Sequence, residues 1–333
     1  MNDKSFPETI RISIGSAIVL ELIRGKLDAK PTTAYLLLCR NGKCSANCAF
    51  CPQARESTGR SDRLSRVTWP AFPTNKLIED IETATRDGKI MRVCIQALNY
   101  PEVLDDVLFL VGKIRSKSSV PISVSSKPPT SNEMKGLLAV GVNRISIALD
   151  AATQEIFDQT KGPKIGGPYR WTKQLGRLQE AVRVFGEGSV STHLIVGLGE
   201  TEQEMCRTIQ WCVDFGIYPA MFAFTPISGT ALEKESPPSL NQYRRIQVAH
   251  YFLTRKKTHF KDMKFDKGGR LTEFGVSESQ FLEAIESGEP FLTSGCPGCN
   301  RPYYNERTSG PIYNYPRKLL PNEILEAIKT VSV

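Results

Sequence analysis

Histidine is scarce in this chain. Three occur in 333 residues, His193, His250 and His259, too few and too scattered for an imidazole metal site. His193 falls on a predicted strand and is read as a packed, hydrogen-bonded side chain. Long apolar runs are missing as well. The N-terminal run IGSAIVLEL is interrupted by Glu21 and is too short to span a bilayer. It also lacks the charged start and small-residue cleavage site of a signal peptide. It reads as one face of an amphipathic helix, with a cytoplasmic location and no membrane partner expected. There is no low-complexity tract, no linker that would split the chain and no sequence repeat. The charge excess is modest: 43 Lys and Arg against 35 Asp and Glu, a net +8. A cationic surface can attract nucleic acid or an acidic protein, but scattered surface charge is usual. At 40% hydrophobic and 23% charged residues, the composition is that of a soluble globular protein, one large domain or two ordinary ones.

What the chain does have is cysteine, nine in all. Disulfides are not expected, because the cytoplasm keeps thiols reduced. Four of the nine lie in CRNGKCSANCAFC, residues 39–51, and Cys44, Cys48 and Cys51 are spaced C-x3-C-x2-C. Thiolates are soft ligands suited to iron–sulfur clusters or zinc. Three of them hold three corners of a cubane and leave the fourth iron open. Zinc, the alternative, calls for a fourth protein ligand to close its site.

The rest of the sequence alternates strand with helix. Apolar runs at 34–39, 91–98, 120–125, 143–150, 190–200 and 219–227 read as strands. Helical patterns follow them, over 77–84, from Glu102 to about Lys117, after the N-cap candidates Thr130 and Ser131, over 171–185, up to Phe215 and over 240–257. MKFD (263–266) and EPFLTSG (289–295) are weaker strand candidates, and a short helix fits 322–330. Six clear units and two weaker ones predict an α/β fold, a (β/α)8 TIM-type barrel. The expected division is an N-terminal helical extension (1–30), the barrel (31–295) and a C-terminal cysteine-containing segment (296–333) capping the active face. In such barrels chemistry sits at the C-terminal ends of strands. Cys39, Asp150, the GLGE of 197–200, Cys296 and Cys299 all fall there. If strand 8 closes against strand 1, Cys296 and Cys299 become neighbours of Cys39, with Cys94 one strand further round. That predicts a second metal centre; a zinc half-site or redox pair at Cys296 and Cys299 is the alternative. Cys206 and Cys212, six apart on a helix, point to different faces and read as core.

On its loop after strand 1, CSANCAFC resembles the signature of the radical SAM superfamily, and IALD (147–150) and AFTPISGTALE (223–233) resemble its biotin-synthase-like branch. The resemblance implies a [4Fe–4S] cluster on Cys44, Cys48 and Cys51 whose open iron binds S-adenosyl-L-methionine. It also implies a low-potential electron donor and hydrogen abstraction by a 5′-deoxyadenosyl radical. Carried over by position, Phe50 lies near the adenine and Asp150, in IALD, at the ribose, with Ala148 where biotin synthases carry asparagine. LIVGLGET (194–201) resembles the strand motif that lines the adenine pocket, which brings in Ile195, Gly197, Gly199 and Glu200. GLGE lacks the third glycine of a Rossmann fingerprint. Gln96 to Leu98 stand where the family meets the methionine amino group, without its Gly-Gly-Glu. Arg177 or, equally, Arg170 would meet the carboxylate.

AFTPISGTALE (223–233) is also similar to biotin synthase. There Cys94 matches one ligand of the second cluster, while the other two positions are Ser125 or a neighbour and Ser191. CPGCNRPYYNERTSGPIYNYPR (296–317) resembles subunits of the archaeal two-component lipoyl synthases. This implies sulfur insertion into an octanoyl-lysyl group on a lipoyl carrier domain, at one or both of carbons 6 and 8. The sulfur donor would be an auxiliary cluster of [4Fe–4S] type on Cys39, Cys94, Cys296 and Cys299, and the partner a second, related radical SAM subunit. Two alternatives stand beside it. One is a biotin synthase acting on dethiobiotin. The other is an iron–sulfur nucleic-acid-binding protein using RESTGRSDRLSR (55–66), a stretch without interleaved aromatics that reads as a solvated loop. Arg301, Arg307 and Arg317 are read as structural charges over the barrel mouth. Tyr303, Tyr304, Tyr313 and Tyr315 are candidates for an acyl tunnel or for packing.

Overall fold

The computed structural model describes residues 6–40 and 42–331. Its first half runs β1 (Thr9–Ile12), α1 (Ile14–Val19), β2 (Thr33–Leu38), a hairpin of β3 (Arg63–Leu64) and β4 (Val67–Thr68), β5 (Ala71–Pro73), α2 (Thr74–Arg86), β6 (Arg92–Ala97), α3 (Val103–Arg115), β7 (Ile122–Ser125) and α4 (Ser131–Ala139). The second half runs β8 (Arg144–Ser146), α5 (Gln154–Thr160), α6 (Trp171–Phe185), β9 (Val190–Val196), α7 (Glu202–Asp214), β10 (Ile217–Ala223), α8 (Leu240–Thr254), β11 (Lys264–Phe265), β12 (Leu271–Glu273), α9 (Glu278–Ser287) and α10 (Pro321–Thr330).

β2 shows why the inner strands were readable. All six residues, TAYLLL, are buried, as expected where helices cover one face and a filled interior the other. Ala34, Leu36 and Leu38 enter the core shared with α2 and α3, and Tyr35 and Leu37 face the interior with Trp69, Leu98 and Tyr304. Helix starts follow their caps. Thr130 with Glu133 and Thr201 with Glu204 each form a reciprocal capping box, satisfying donors that a bare helix end leaves open. α7 and α8 are tied by a buried ion pair, Arg245–Glu202 at 2.6 Å. Cys206 and Cys212 are fully buried, in two separate hydrophobic cores.

The α/β class and the eight-stranded, mostly parallel sheet match expectation. The order is β10-β9-β8-β7-β6-β2-β1-β5. The six strands from β10 to β2 are parallel, and β1 and β5 are antiparallel additions at the β2 edge. Two details correct the expected barrel. The N-terminal stretch is not purely helical, since Thr9–Ile12 belongs to the sheet. The two weak units do not supply strands 7 and 8. MKFD goes into the small β11–β12 hairpin outside the sheet. EPFLTSG begins as a 3₁₀ turn, Glu289–Phe291, with Pro290 in its first turn, where a missing N–H costs nothing. The gap between β10 and the start of β2, below the point where β1 pairs with it, is instead filled by an irregular segment. Met221 N on β10 donates to Ser294 Oγ (2.7 Å). On the β2 side, Thr32 N donates to Asn300 Oδ1 (3.2 Å), Asn300 Nδ2 to Lys30 O (2.8 Å) and Arg301 N to Tyr35 Oη (2.9 Å).

Candidate active site

The interior of this sheet is a chamber with about 1250 Å³ of empty space, part of it open to solvent. Its upper end is the three-cysteine loop, wired to its surroundings by backbone bonds. Cys44 N donates to Gln53 O (2.9 Å), Ser45 N to Asn99 O (2.8 Å), Ala49 N to Thr160 O (2.7 Å) and Cys51 N to Cys48 O (3.0 Å). Asn99 N reaches the Cys44 sulfur at 3.1 Å. Lys43 Nζ clamps the loop through Pro52 O and Gly59 O, both at 2.6 Å. Burial pushes the Cys48 thiol well up and Cys51 to about 12, with the neighbouring thiols adding to both. Thiols gathered in such surroundings ionise only beside a compensating positive centre, which a bound iron–sulfur group supplies. The donor set therefore fits a cluster. Among the described residues, no three Cys, His, Asp or Glu side chains converge closely enough to hold one metal ion.

Phe50 and Cys51 line the chamber, as do Gln96, Asp150 and Ile195. Asp150 adopts a left-handed backbone (φ 67°) and is held to β9 by Asp150 N→His193 O and Ile195 N→Asp150 O, both 2.8 Å. Its carboxylate meets Lys161 Nζ at 2.5 Å, and both side chains are buried. Lys161 also donates to Ala148 O (2.5 Å) and lies over the Tyr169 ring. A fixed cation thus stands beside Cys48, whose thiol it acts to lower.

The glycine motif forms a tight turn after β9. Gly197 (φ 102°) and Gly199 (φ 112°) occupy backbone that favours glycine, and a Cβ on Gly197 would lie 2.7 Å from Pro238. The turn lets the Glu200 carboxylate accept from Gly197 N (2.7 Å) and Leu198 N (3.0 Å). Burial raises Glu200 to about 7. None of the three lines the chamber. Nor do Arg177, which pairs with Glu180 one turn along α6, and Arg170, whose guanidinium donates to Gly167 O and Tyr169 O.

Deeper in the chamber a second group of thiols forms. In the sheet register Cys94 lies between Tyr35 and Ser123. Cys299 Sγ is 3.3 Å from Tyr35 Oη and Cys296 Sγ 3.5 Å from Ser123 Oγ. The three thiols therefore form a row across β2, β6 and β7. Burial, then the nearness of Cys296 and Cys299, pushes Cys94 up. Arg301 completes the wall, its guanidinium 3.8 Å from the Phe222 ring centroid and donating to Ser294 O (2.5 Å). His193 is half-buried, its proton affinity lowered to about 4 by desolvation, and lies 3.3 Å from Ser146 Oγ.

Cys39 is not part of this row. It lies four residues beyond Tyr35, about 13 Å along the strand at ~3.3 Å per residue. Its thiol is raised by burial and answered only by Arg11 of β1. The expectation failed because it relied on a strand 8 that does not exist. The Cys296–Cys299 turn instead enters at the level where β2 and β6 begin, with Thr32 Oγ1 bonded to Gly298 O and Met91 beside Gly298. The cysteines therefore lie away from the C-terminal face, while Ser65 Oγ donates to Tyr304 O and Thr225 Oγ1 to Asn305 O, both at 3.0 Å. Of the four candidate tunnel tyrosines, Tyr304 alone lines the chamber. Tyr303 bonds Asp28, Tyr313 donates to Pro238 O (2.8 Å) and Tyr315 packs in the second core.

Sequence reasoning passed over Tyr35, Ser123, Lys161 and Arg144 and undervalued Arg301. Tyr35 had a signal, since it shares its side of β2 with Leu37 and its register with Cys94. For Lys161, inside a Gly/Pro-rich loop, no pattern in the sequence distinguishes it from a solvated lysine.

The comparisons with known proteins bear on the family and the fold. Residues 40–212, more than half of the chain, match the family model of the radical SAM superfamily. The chain belongs to that superfamily, whose members use a [4Fe–4S] cluster and S-adenosyl-L-methionine. It is 30% identical over 134 residues to a GTP 3′,8-cyclase of Cyanothece sp., covering 40% of each chain. It is 26% identical over 168 residues to a biotin synthase of Magnetococcus marinus, covering 50% of this chain and 48% of that one. The chain thus spans half or less of the length of the curated relatives it matches. Among solved structures, methylornithine synthase (PylB) aligns with a TM-score of 0.53 at 13% identity, over 73% of this chain and 67% of that one. The hydrogenase maturase HydG of Carboxydothermus hydrogenoformans aligns with a TM-score of 0.51 at 17% identity, over 72% and 55%. These likenesses establish the fold.

Proposed function

We propose that this radical SAM enzyme inserts sulfur into an octanoyl-lysyl group on a lipoyl carrier domain, as a lipoyl synthase subunit. The observation that carries the reading is the second group of thiols, Cys94, Cys296 and Cys299, inside the same chamber whose upper end is the Cys44–Cys48–Cys51 loop. When bound, the upper cluster with S-adenosyl-L-methionine supplies a hydrogen-abstracting radical and the lower cluster supplies sulfur.

The chain's own residues hold and orient these groups. Cys44, Cys48 and Cys51 ligate the first and Cys94, Cys296 and Cys299 the second. Asp150, fixed by Lys161, presents a carboxylate to the ribose hydroxyls, and Phe50 flanks the adenine. Ile145, Ile195, Ala220 and Phe222 offer an apolar wall for an alkyl chain and exclude water. Tyr35 and Arg301 fix the Cys299 turn. The partners in this reading are the octanoylated carrier, a second related radical SAM subunit and a low-potential electron donor, in the cytoplasm. Among the described residues no helix is long and apolar enough to cross a membrane.

The biotin synthase relative favours a second reading, sulfur insertion into dethiobiotin. The nucleic-acid reading has no such support, since Arg55 and Arg60 of its candidate loop are paired with Glu56 and Asp62.

The test is iron and sulfide content with Mössbauer spectra on anaerobically reconstituted protein, for wild type and a Cys44/Cys48/Cys51→Ala triple variant. The variant is expected to retain one four-iron cluster; retention of none removes the sulfur-donor reading. Formation of 5′-deoxyadenosine with an octanoyl-lysyl peptide and not with dethiobiotin separates the two substrates.

A further inference from the structure

A second cavity opens behind the wall formed by Tyr35 and Tyr304. These rings, 5.3 Å apart at their centroids, line both the chamber and this cavity. It holds about 1200 Å³ of empty space, part of it open to solvent. Lys26, Arg66 and Arg307 line it, and none of their side chains has a hydrogen-bond or ion-pair partner among the described residues. The acidic groups of the cavity are already engaged. Asp28 accepts from Tyr303 and lies 3.6 Å from Arg317. Glu306 is buried and accepts from Asn305 N (2.8 Å) and Asn314 N (2.7 Å). Burial and then the charge of Arg307 lower the proton affinity of Arg66; Glu306 opposes them, and Arg63 adds a smaller lowering. Nearby, Arg63 Nε is buried without a partner. Like charges held together at a half-buried rim are relieved by an incoming anion.

We propose that this cavity is the docking site for an acidic segment of the protein that presents the substrate, its carboxylates received by Lys26, Arg66 and Arg307. Three features favour a protein segment over a small oxyanion. The space far exceeds one ion. The cations share it with apolar Leu27 and Val67, as an interface does. The chain's net +8 attracts an acidic protein from a distance. A segment seated here brings its neighbouring residues against the tyrosine wall of the chamber. The proposal rests on the preceding reading for the protein that presents the substrate and for the acyl-lysyl group it carries.

The test uses fluorescence anisotropy with the full chain and three labelled peptides. One is acidic and carries an octanoyl-lysine, one is its Asn/Gln-neutralised counterpart, and one is acidic with unmodified lysine. Both acidic peptides are expected to bind, the octanoylated one more tightly and both more weakly as salt rises, and the neutral one is not. Arg66→Gln with Arg307→Gln should weaken acidic-peptide binding about tenfold with iron content and circular dichroism unchanged. The single, exposed Arg307→Gln serves if the double variant fails to fold. Three results would overturn the docking site: no binding by the acidic peptides, equal binding by variant and wild type, or binding of inorganic phosphate but not of peptide. Charge-dependent binding without preference for the octanoyl-lysine would leave the docking site standing and count against the lipoyl reading.

Discussion

Single residues separate the two thiol groups. Cys94 and Cys299 line the chamber and Cys39 does not. Cys94→Ala and Cys299→Ala should therefore each lower the iron content of reconstituted protein by about half, one four-iron cluster of two. Cys39→Ala should leave it unchanged, as iron analysis will show. Glu200 makes a separate prediction. Its carboxyl rises from the ordinary 4.5 to about 7 in the folded chain, so the native state holds this proton more tightly than the unfolded state. Its contribution to stability is then fully present below about pH 4.5 and declines as pH rises to about 7, by at most about 1.4 kcal/mol per unit. Glu200→Gln should flatten urea-measured stability across that window. At this scale the sequence was uneven. Cysteine spacing revealed the upper ligands because all three lie on one local loop. The lower set joins β6 to a turn some 200 residues away, and only the fold determines which cysteines meet.

At the scale of elements, the six parallel strands and their helices were legible because burial on both faces leaves nearly continuous apolar runs. The capping box at Thr130 was legible because its signal is local. The sequence concealed β1 and β5, short edge pieces without a clear apolar run, and the reassignment of EPFLTSG, where Pro290 favours a turn. The legible elements are also the ones that support the chamber. Leu36→Ala, at a fully buried position between β2 and its helices, should cost about 2–5 kcal/mol. Thr201→Ala, which removes the α7 cap, should cost about 1 kcal/mol. Chemical denaturation measures both, and a negligible loss at Leu36 would contradict the packing described.

For the whole molecule, the decisive feature is the seam between β10 and β2, closed by irregular chain instead of strands. Its latch is Asn300, bonded to Lys30 and Thr32. Asn300→Ala should speed proteolysis in the 296–305 region and lower retention of the second iron–sulfur group, while the Cys44 loop keeps its own. Equal proteolysis rates in variant and wild type would show that the latch is not what holds the seam.

That seam also imposes an order of manufacture. Residues 292–305 are synthesised after every strand they close upon, so the nascent barrel already has Cys94 inside it while its side is still open. During that interval only Cys94 of the three lower thiols is in place, so the lower group is the last that can be completed. Ribosome-bound chains stalled just past β10 should accept iron into the upper loop but not the lower row. Completed protein unfolded and refolded without iron should take up the lower group more slowly than the upper.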